Sequence, residues 1–248
     1  MKRILLIALV VLAAASCKKI TPETRIAEIN RFFQGKEDVH TPKLQQYQGK
    51  KQLDYLNLIL DGELDAATIW VVEADGQSSM LAEFPGSDKK GDLTMISASL
   101  DDPQACSAVL EAMEALKQLK IQHKNTIRTL FYAPAPDSTG QNGLAAVNDE
   151  LRSFEELILF DIELTTGSET VPTKTFVIEE KPDFARQLIE IIQPYMAPLG
   201  DYQFEQGSYP NPSWPLKTSI YRYNVDPGDF QKDVAAVTAF AYLLNQKG

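Results

Sequence analysis

Apolar residues recur at helical spacing between Pro22 and Phe33, where Ile26, Ile29, Phe32 and Phe33 predict an amphipathic helix. A second helix is predicted over Lys51 to Leu60. The pattern then shifts to shorter, denser apolar runs. "ATIWVVEA", from Ala67, is a predicted strand, and Asp75-Gly76 turns it into "SSMLAEF". Pro85-Gly86, then Lys89 to Gly91, lead into a third strand, "LTMISAS". The helix from Pro103 to Leu119 carries the plainest signal. Ala105, Ala108, Val109, Ala112, Met113, Leu116 and Leu119 fall on one face, Asp102 suits the N-cap, and Pro103 suits the first helical position.

Downstream, a turn at His123 to Asn125 enters the strand "TIRTLFYA". A loop rich in Gly, Pro and Ser, Pro134 to Gly143, leads to a helix expected near Leu144 to Arg152. "LILFDIEL" is a strand whose near-continuous hydrophobicity predicts a central position. A helix over Asp183 to Tyr195, the strand "TSIYRYN" and a helix over Phe230 to Leu244 complete the pattern. Strands alternating with helices predict an α/β fold with a mixed, mostly parallel sheet covered by helices on both faces.

The first residues change the picture of where the chain works. "MKR" is a basic start, "ILLIALVVLAAAS" is a short apolar run ending in small residues, and Cys17 follows at once. The run is too short to span a membrane comfortably and has the flanks of a signal peptide. Ala14, Ala15 and Ser16 before Cys17 resemble the lipobox of bacterial lipoproteins. That resemblance implies cleavage before Cys17, acylation of its thiol and of its new amino terminus, and anchoring to the cell envelope, with the outer membrane the expected destination and the leaflet open. The alternative is an ordinary secretory signal followed by a coincidental Cys. Lys18 and Lys19 suit anionic headgroups. The chain thus divides into a signal over residues 1–16, an anchor and tether over 17–21, and one domain over 22–248. Cys106 is the only other thiol, so no internal disulfide is available. A net charge of −10 without a basic patch argues against nucleic acid as a partner.

Two stretches resemble a known family. "SMLAEFPGSDKKGDLTMISASLDD" is similar to the strand pair of the zinc exopeptidases related to bacterial leucyl aminopeptidase and glutaminyl cyclase, metallopeptidase family twenty-eight. "AVLEAMEALKQLKIQHKNTIRTLFYA" looks like that family's next helix and strand, and "LILFDIEL" like its later strand around an "LDM" triplet. The likeness runs from about Leu53 to the C-terminus and weakens after Gly200. It implies a zinc-exopeptidase fold and, in an intact member, a two-zinc aminopeptidase site of imidazoles and carboxylates.

Residue by residue, that site is depleted. The family's first metal-binding His falls on Ser99, and the Asp two residues on falls on Asp101. The linker before the bridging Asp is missing, so Asp101 or Asp102 stands for both carboxylates. The Glu-Glu pair that supplies the general base falls on Ala135-Pro136, Asp161 matches the "LDM" Asp, and Tyr221 to Asp226 contains no His. The chain's two histidines, His40 and His123, read as exposed or capping residues.

A rebuilt cluster of Asp101, Asp102, Asp137 and Asp161 would favour Ca²⁺, Mg²⁺ or Mn²⁺ over zinc. Against it stand two structural readings: Asp102 as the helix N-cap, and Asp161 as an inherited carboxylate hydrogen-bonded at a strand end. Gly86-Ser87 and Ser138 lie in no nucleophile-elbow pattern, Cys106 reads as a buried inert thiol, and no glycine-rich phosphate loop follows a strand.

The resulting expectation is a lipid-anchored, degenerate exopeptidase-like domain, non-catalytic and without a cofactor, that binds or assembles. Peptide or protein ligands would meet the old cleft, with Tyr209, Trp214, Tyr221 and Tyr223 of "SYPNPSWPLKTSIYRYN" lining it or simply packing their loop. The alternative is an active metal-dependent aminopeptidase with a carboxylate-rich site, in which case zinc or another cation is required. A structural lipoprotein with an unused cleft is the third reading.

Overall fold

A computed structural model describes residues 20–74, 77–88, 92–133, 158–207 and 217–246. Helix α1, Pro22–Phe33, begins where Thr21 accepts the Thr24 amide and Pro22 takes the first turn. A short α2, Thr41–Gln46, and α3, Lys50–Asn57, follow, and α3 continues into a wider π-helical turn, Leu58–Glu63. The predicted second helix is therefore α-helical for only part of its length.

Strands β1, Thr68–Ala74, and β2, Gln77–Phe84, form an antiparallel pair. Next come β3, Leu93–Ser99; α4, Pro103–Gln118; β4, Ile127–Tyr132; and β5, Ile158–Thr166. Two strands that the pattern does not predict, β6, Thr175–Glu179, and β7, Gln203–Gln206, flank α5, Pro182–Met196. Strand β8, Lys217–Val225, and helix α6, Phe230–Gln246, close the chain.

The strands form one eight-stranded sheet in the order β1-β2-β4-β3-β5-β8-β6-β7. Its centre, β4-β3-β5-β8, is parallel, whereas β2 against β4 and β6 against β8 are antiparallel. The fold is mixed and mostly parallel, as the alternation of elements predicts. Burial of β5 between β3 and β8 explains its near-continuous hydrophobic run.

Side chains alternate across the sheet, and the alternation separates two cores. On one face Ile96, Phe131, Ile162, Tyr221 and Phe176 meet apolar residues from every described helix. On the other, Leu81, Leu93, Met95, Leu130 and Tyr132 form a smaller cluster with Trp70 and Val72 packed against it. The helix expected near residues 144–152 lies outside the described residues.

Helix α4 is buried on more than its predicted stripe, for Ser107 and Glu111 are covered as well. The cause is the N-terminal segment on its outer side. Ser107 donates to Asp38 at 2.6 Å, and Lys36 reaches Glu111 and Glu114 at 3.1 and 2.7 Å. Burial raises the Glu111 carboxyl above its ordinary range, partly countered by Lys36.

Candidate functional site at the carboxyl edge of the sheet

Because β3, β4, β5 and β8 run parallel, their carboxyl ends share one edge, where open α/β sheets bind ligands. Ser99 ends β3 half-buried. Its carbonyl accepts from the Cys106 thiol at 3.1 Å, and its hydroxyl oxygen accepts from the Asp101 amide at 3.4 Å. Cys106 is fully buried, and burial pushes its thiol up, away from nucleophilic use.

The chain then enters α4 through Asp101, which is exposed, and Asp102, which caps the helix. Asp102 Oδ1 accepts the Ala105 amide at 2.9 Å, Oδ2 accepts the Thr166 amide at 2.6 Å, and the Thr166 hydroxyl donates to the same carboxylate. Both oxygens therefore join the start of α4 to the end of β5.

Asp161 does not belong to this edge, and the expectation of a strand-end carboxylate is corrected. Strand β5 runs on to Thr166, so Asp161 lies opposite Met95, four positions before Ser99, or about 13 Å along the strand. It also projects from the Met95 face, whereas α4 packs on the Ile162 face. There its carboxylate accepts from the Ser97 hydroxyl at 2.8 Å. Burial, then the neighbouring Glu163, push its pKa up to about 8, against smaller opposing effects of Ser97 and Arg222. Beside it, Tyr132 donates to Glu163 at 3.0 Å, and Arg222 links Glu163 to Glu179, each at 2.9 Å.

Solved structures share this architecture. The LapA aminopeptidase of Legionella pneumophila is 13% identical, with a TM-score of 0.56 over 94% of this chain and 73% of that one. LapB of the same organism is 13% identical, with a TM-score of 0.61 over 93% and 76%. A glutaminyl cyclase from an Acidobacteriales bacterium is 10% identical, with a TM-score of 0.55 over 80% and 86%. No protein-family model matches the chain, and no curated protein matches it in sequence. The fold is zinc-exopeptidase-like. At such identities the likeness is one of fold, and the chemistry rests on this chain's own residues.

The described residues of this edge do not assemble a zinc pair. Ser99 offers a neutral hydroxyl, both oxygens of Asp102 are held by hydrogen bonds, and Asp161 is remote. Among the described residues no three His, Cys, Asp or Glu side chains converge on a possible metal position. Ala135, Pro136 and Asp137 lie outside the described residues, as do Ser138, Cys17, Tyr209 and Trp214.

Tyr221 and Tyr223 are corrected as well. Both are fully buried on the helix face of β8, Tyr223 4.4 Å from the Phe176 ring and Tyr221 5.2 Å from the Phe240 ring. They build the core, not a cleft. His40 is neither exposed nor a side-chain cap: it is buried, and its Nδ1 shares a 2.7 Å hydrogen bond with the Tyr55 hydroxyl. Burial pushes its pKa down. His123 lies at the opposite edge of the sheet, where Nδ1 donates to the Asn125 carbonyl at 3.1 Å.

What the exopeptidase-like edge does offer is a cleft of about 820 Å³ between α3, the β1–β2 hairpin and the ends of β3 and β4. Gln52 pins α3 there by donating to the Leu100 carbonyl at 2.7 Å. Leu53, Val71, Met80 and Leu100 give the cleft apolar surface, and Asp54, Glu73 and Asp101 give it a negative rim beside Lys50. Nothing in the spacing of α3 or the hairpin marks these as ligand-facing residues.

The lock at Asp102 leads to a prediction. Asp102→Ala removes a helix cap, at about 1 kcal/mol, and orphans the Thr166 amide, at roughly another 1–2 kcal/mol. A loss of about 2–3 kcal/mol is expected from urea unfolding, whereas Asp101→Ala changes stability by less than about 0.5 kcal/mol. Equal, negligible effects at both positions would contradict the structural role of Asp102.

Proposed function

We propose that this chain is a lipid-anchored binding module of the bacterial cell envelope, built on an aminopeptidase-like fold and working without that fold's zinc chemistry. The observation that carries the reading is the engagement of Asp102. The carboxylate best placed at the strand edge spends both oxygens on α4 and Thr166, with Ser99 in place of an imidazole. Neither a Lewis acid nor a general base is assembled there from the described residues. The remaining cleft suits capture: apolar walls bury side chains, and the rim of Asp54, Glu73 and Asp101 favours a peptide with a positive group. The lipobox-like "AAS" before Cys17 supplies the anchoring half of the proposal, with the outer membrane as destination.

Metal analysis of the purified domain lacking residues 1–17, with turnover assays on amino-acid amides, tests the catalytic half. The expected result is no stoichiometric metal, no chelator-sensitive cleavage, and retention of cationic peptides that is weakened by Asp54→Lys. Stoichiometric zinc with chelator-sensitive cleavage would establish the active-peptidase reading instead. Absence of both turnover and peptide retention would leave a structural lipoprotein whose cleft is unused.

A further inference from the structure

The chain enters its domain at one particular edge. Arg25, in the first turn of α1, donates to the Leu119 carbonyl at 3.1 Å, just past the end of α4. Helix α4 starts at the carboxyl end of β3 and runs back along the sheet, so Leu119 lies at the amino edge of the parallel strands. Helix α6 ends there too, where Gln246 donates to the Gln122 carbonyl at 3.3 Å. The 820 Å³ cleft is at the other edge.

We infer that this amino edge lies against the bilayer, with anionic phospholipid headgroups as its partner, and that the cleft points away from the membrane. The inference rests on the acylation of Cys17 proposed above. Three residues separate Cys17 from Thr21, four steps of chain with a reach of at most about 14 Å. The cleft is a helix length away, about 24 Å for the sixteen residues of α4. So short a tether holds the near edge at the surface and cannot bring the far edge round to it.

The charges agree. The near edge carries Lys117, Lys120 and Lys124, to which the tether adds Lys18 and Lys19, against Glu23 in the first turn of α1. Lys117 pairs with Asp65 at 2.5 Å, so Lys120 and Lys124 provide the greater attraction. Asp88 and Asp92, on the same edge, have interactions of their own. The far edge presents Asp54, Glu73 and Asp101 beside one cation, Lys50. An anionic surface attracts the first set and repels the second. A ligand reaching the cleft would then come from the aqueous compartment, not from the lipid.

The test uses the mature acylated chain, beginning at Cys17, in vesicles of phosphatidylethanolamine and phosphatidylglycerol. Cys17 is blocked by its acyl group and Cys106 is buried, so one introduced cysteine takes a fluorophore selectively. The exposed positions Gln122→Cys, at the near edge, and Asp54→Cys, at the cleft, are compared for quenching by a headgroup spin label. Several-fold stronger quenching at position 122 is expected, with a smaller contrast on uncharged phosphatidylcholine vesicles. Equal quenching, or stronger quenching at position 54, in an acylated chain overturns the orientation alone. Mass spectrometry showing Cys17 without an acyl group overturns the anchoring on which it rests.

Discussion

Asp161→Asn is expected to stabilise the protein, and by more as the pH rises. In the folded chain burial lifts the Asp161 carboxyl from near 3.8 to about 8, with Glu163 adding to the shift and Ser97 and Arg222 opposing it. Below about pH 4 both folded and unfolded chains hold the proton, and the group contributes nothing to the pH dependence. Between about 4 and 8 the unfolded chain releases the proton while the folded chain keeps it, so stability falls by roughly 1.4 kcal/mol per pH unit. Above 8 both forms are ionised and the loss levels off, at a total on the order of 5 kcal/mol.

Asparagine removes this slope while preserving an acceptor for the Ser97 hydroxyl, which donates at 2.8 Å. Urea unfolding of variant and parent should agree within about 1 kcal/mol at pH 4 and separate by roughly 3–5 kcal/mol at pH 8. A constant difference across that range would mean that Asp161 ionises normally in the folded protein. A metal ligand behaves oppositely: a bound cation favours the ionised carboxylate, and its loss destabilises.

The same residue shows where reading the chain alone stops. Likeness of "FDI" to the family's "LDM" triplet puts Asp161 at a strand end, yet the apolar pattern runs on to Leu164 and β5 continues through polar Thr165 and Thr166. Pairing with β8, Thr166 opposite Val225, sets that length, and a partner strand is invisible to local pattern. Strands β6 and β7 escape for a related reason. "TFVIE" and "QFEQ" are too short to display periodicity and gain their conformation from β8 and from each other. Helix α4 was legible because its evidence is local: a capping Asp102, Pro103 in the first turn and a run of small apolar residues. The junction on which the family's metal positions fall was legible for the same reason, since Ser99 and Asp101 sit where β3 meets α4. The engagement of Asp102 by Thr166 spans sixty-four positions, and no spacing rule reports it. The hydrogen bond of His40 to Tyr55, fifteen positions on and in α3, is likewise invisible to spacing.

Tyr223→Ala is expected to cost about 3–5 kcal/mol, a large share of the stability of a typical domain. The alternation "IYRY" contains the reason: Tyr221 and Tyr223 point into the helix-side core, while Arg222 turns to the other face and pairs with Glu163. Tyr223 is fully buried, 4.4 Å from the Phe176 ring and 6.3 Å from that of Tyr202, and Phe176 in turn stacks on Phe240 at 4.5 Å. Removing the ring opens a cavity that β8, held between β5 and β6, cannot collapse to fill. The melting temperature should fall by roughly 10 °C. Tyr223→Phe keeps the ring and should lose no more than about 1–2 kcal/mol. A ligand-lining tyrosine would give the opposite pattern, with peptide retention lost and the melting temperature unmoved. That outcome would return Tyr223 to the cleft; the expected one ties ligand capture to α3 and the β1–β2 hairpin, where Asp54→Lys weakens retention without disturbing the core.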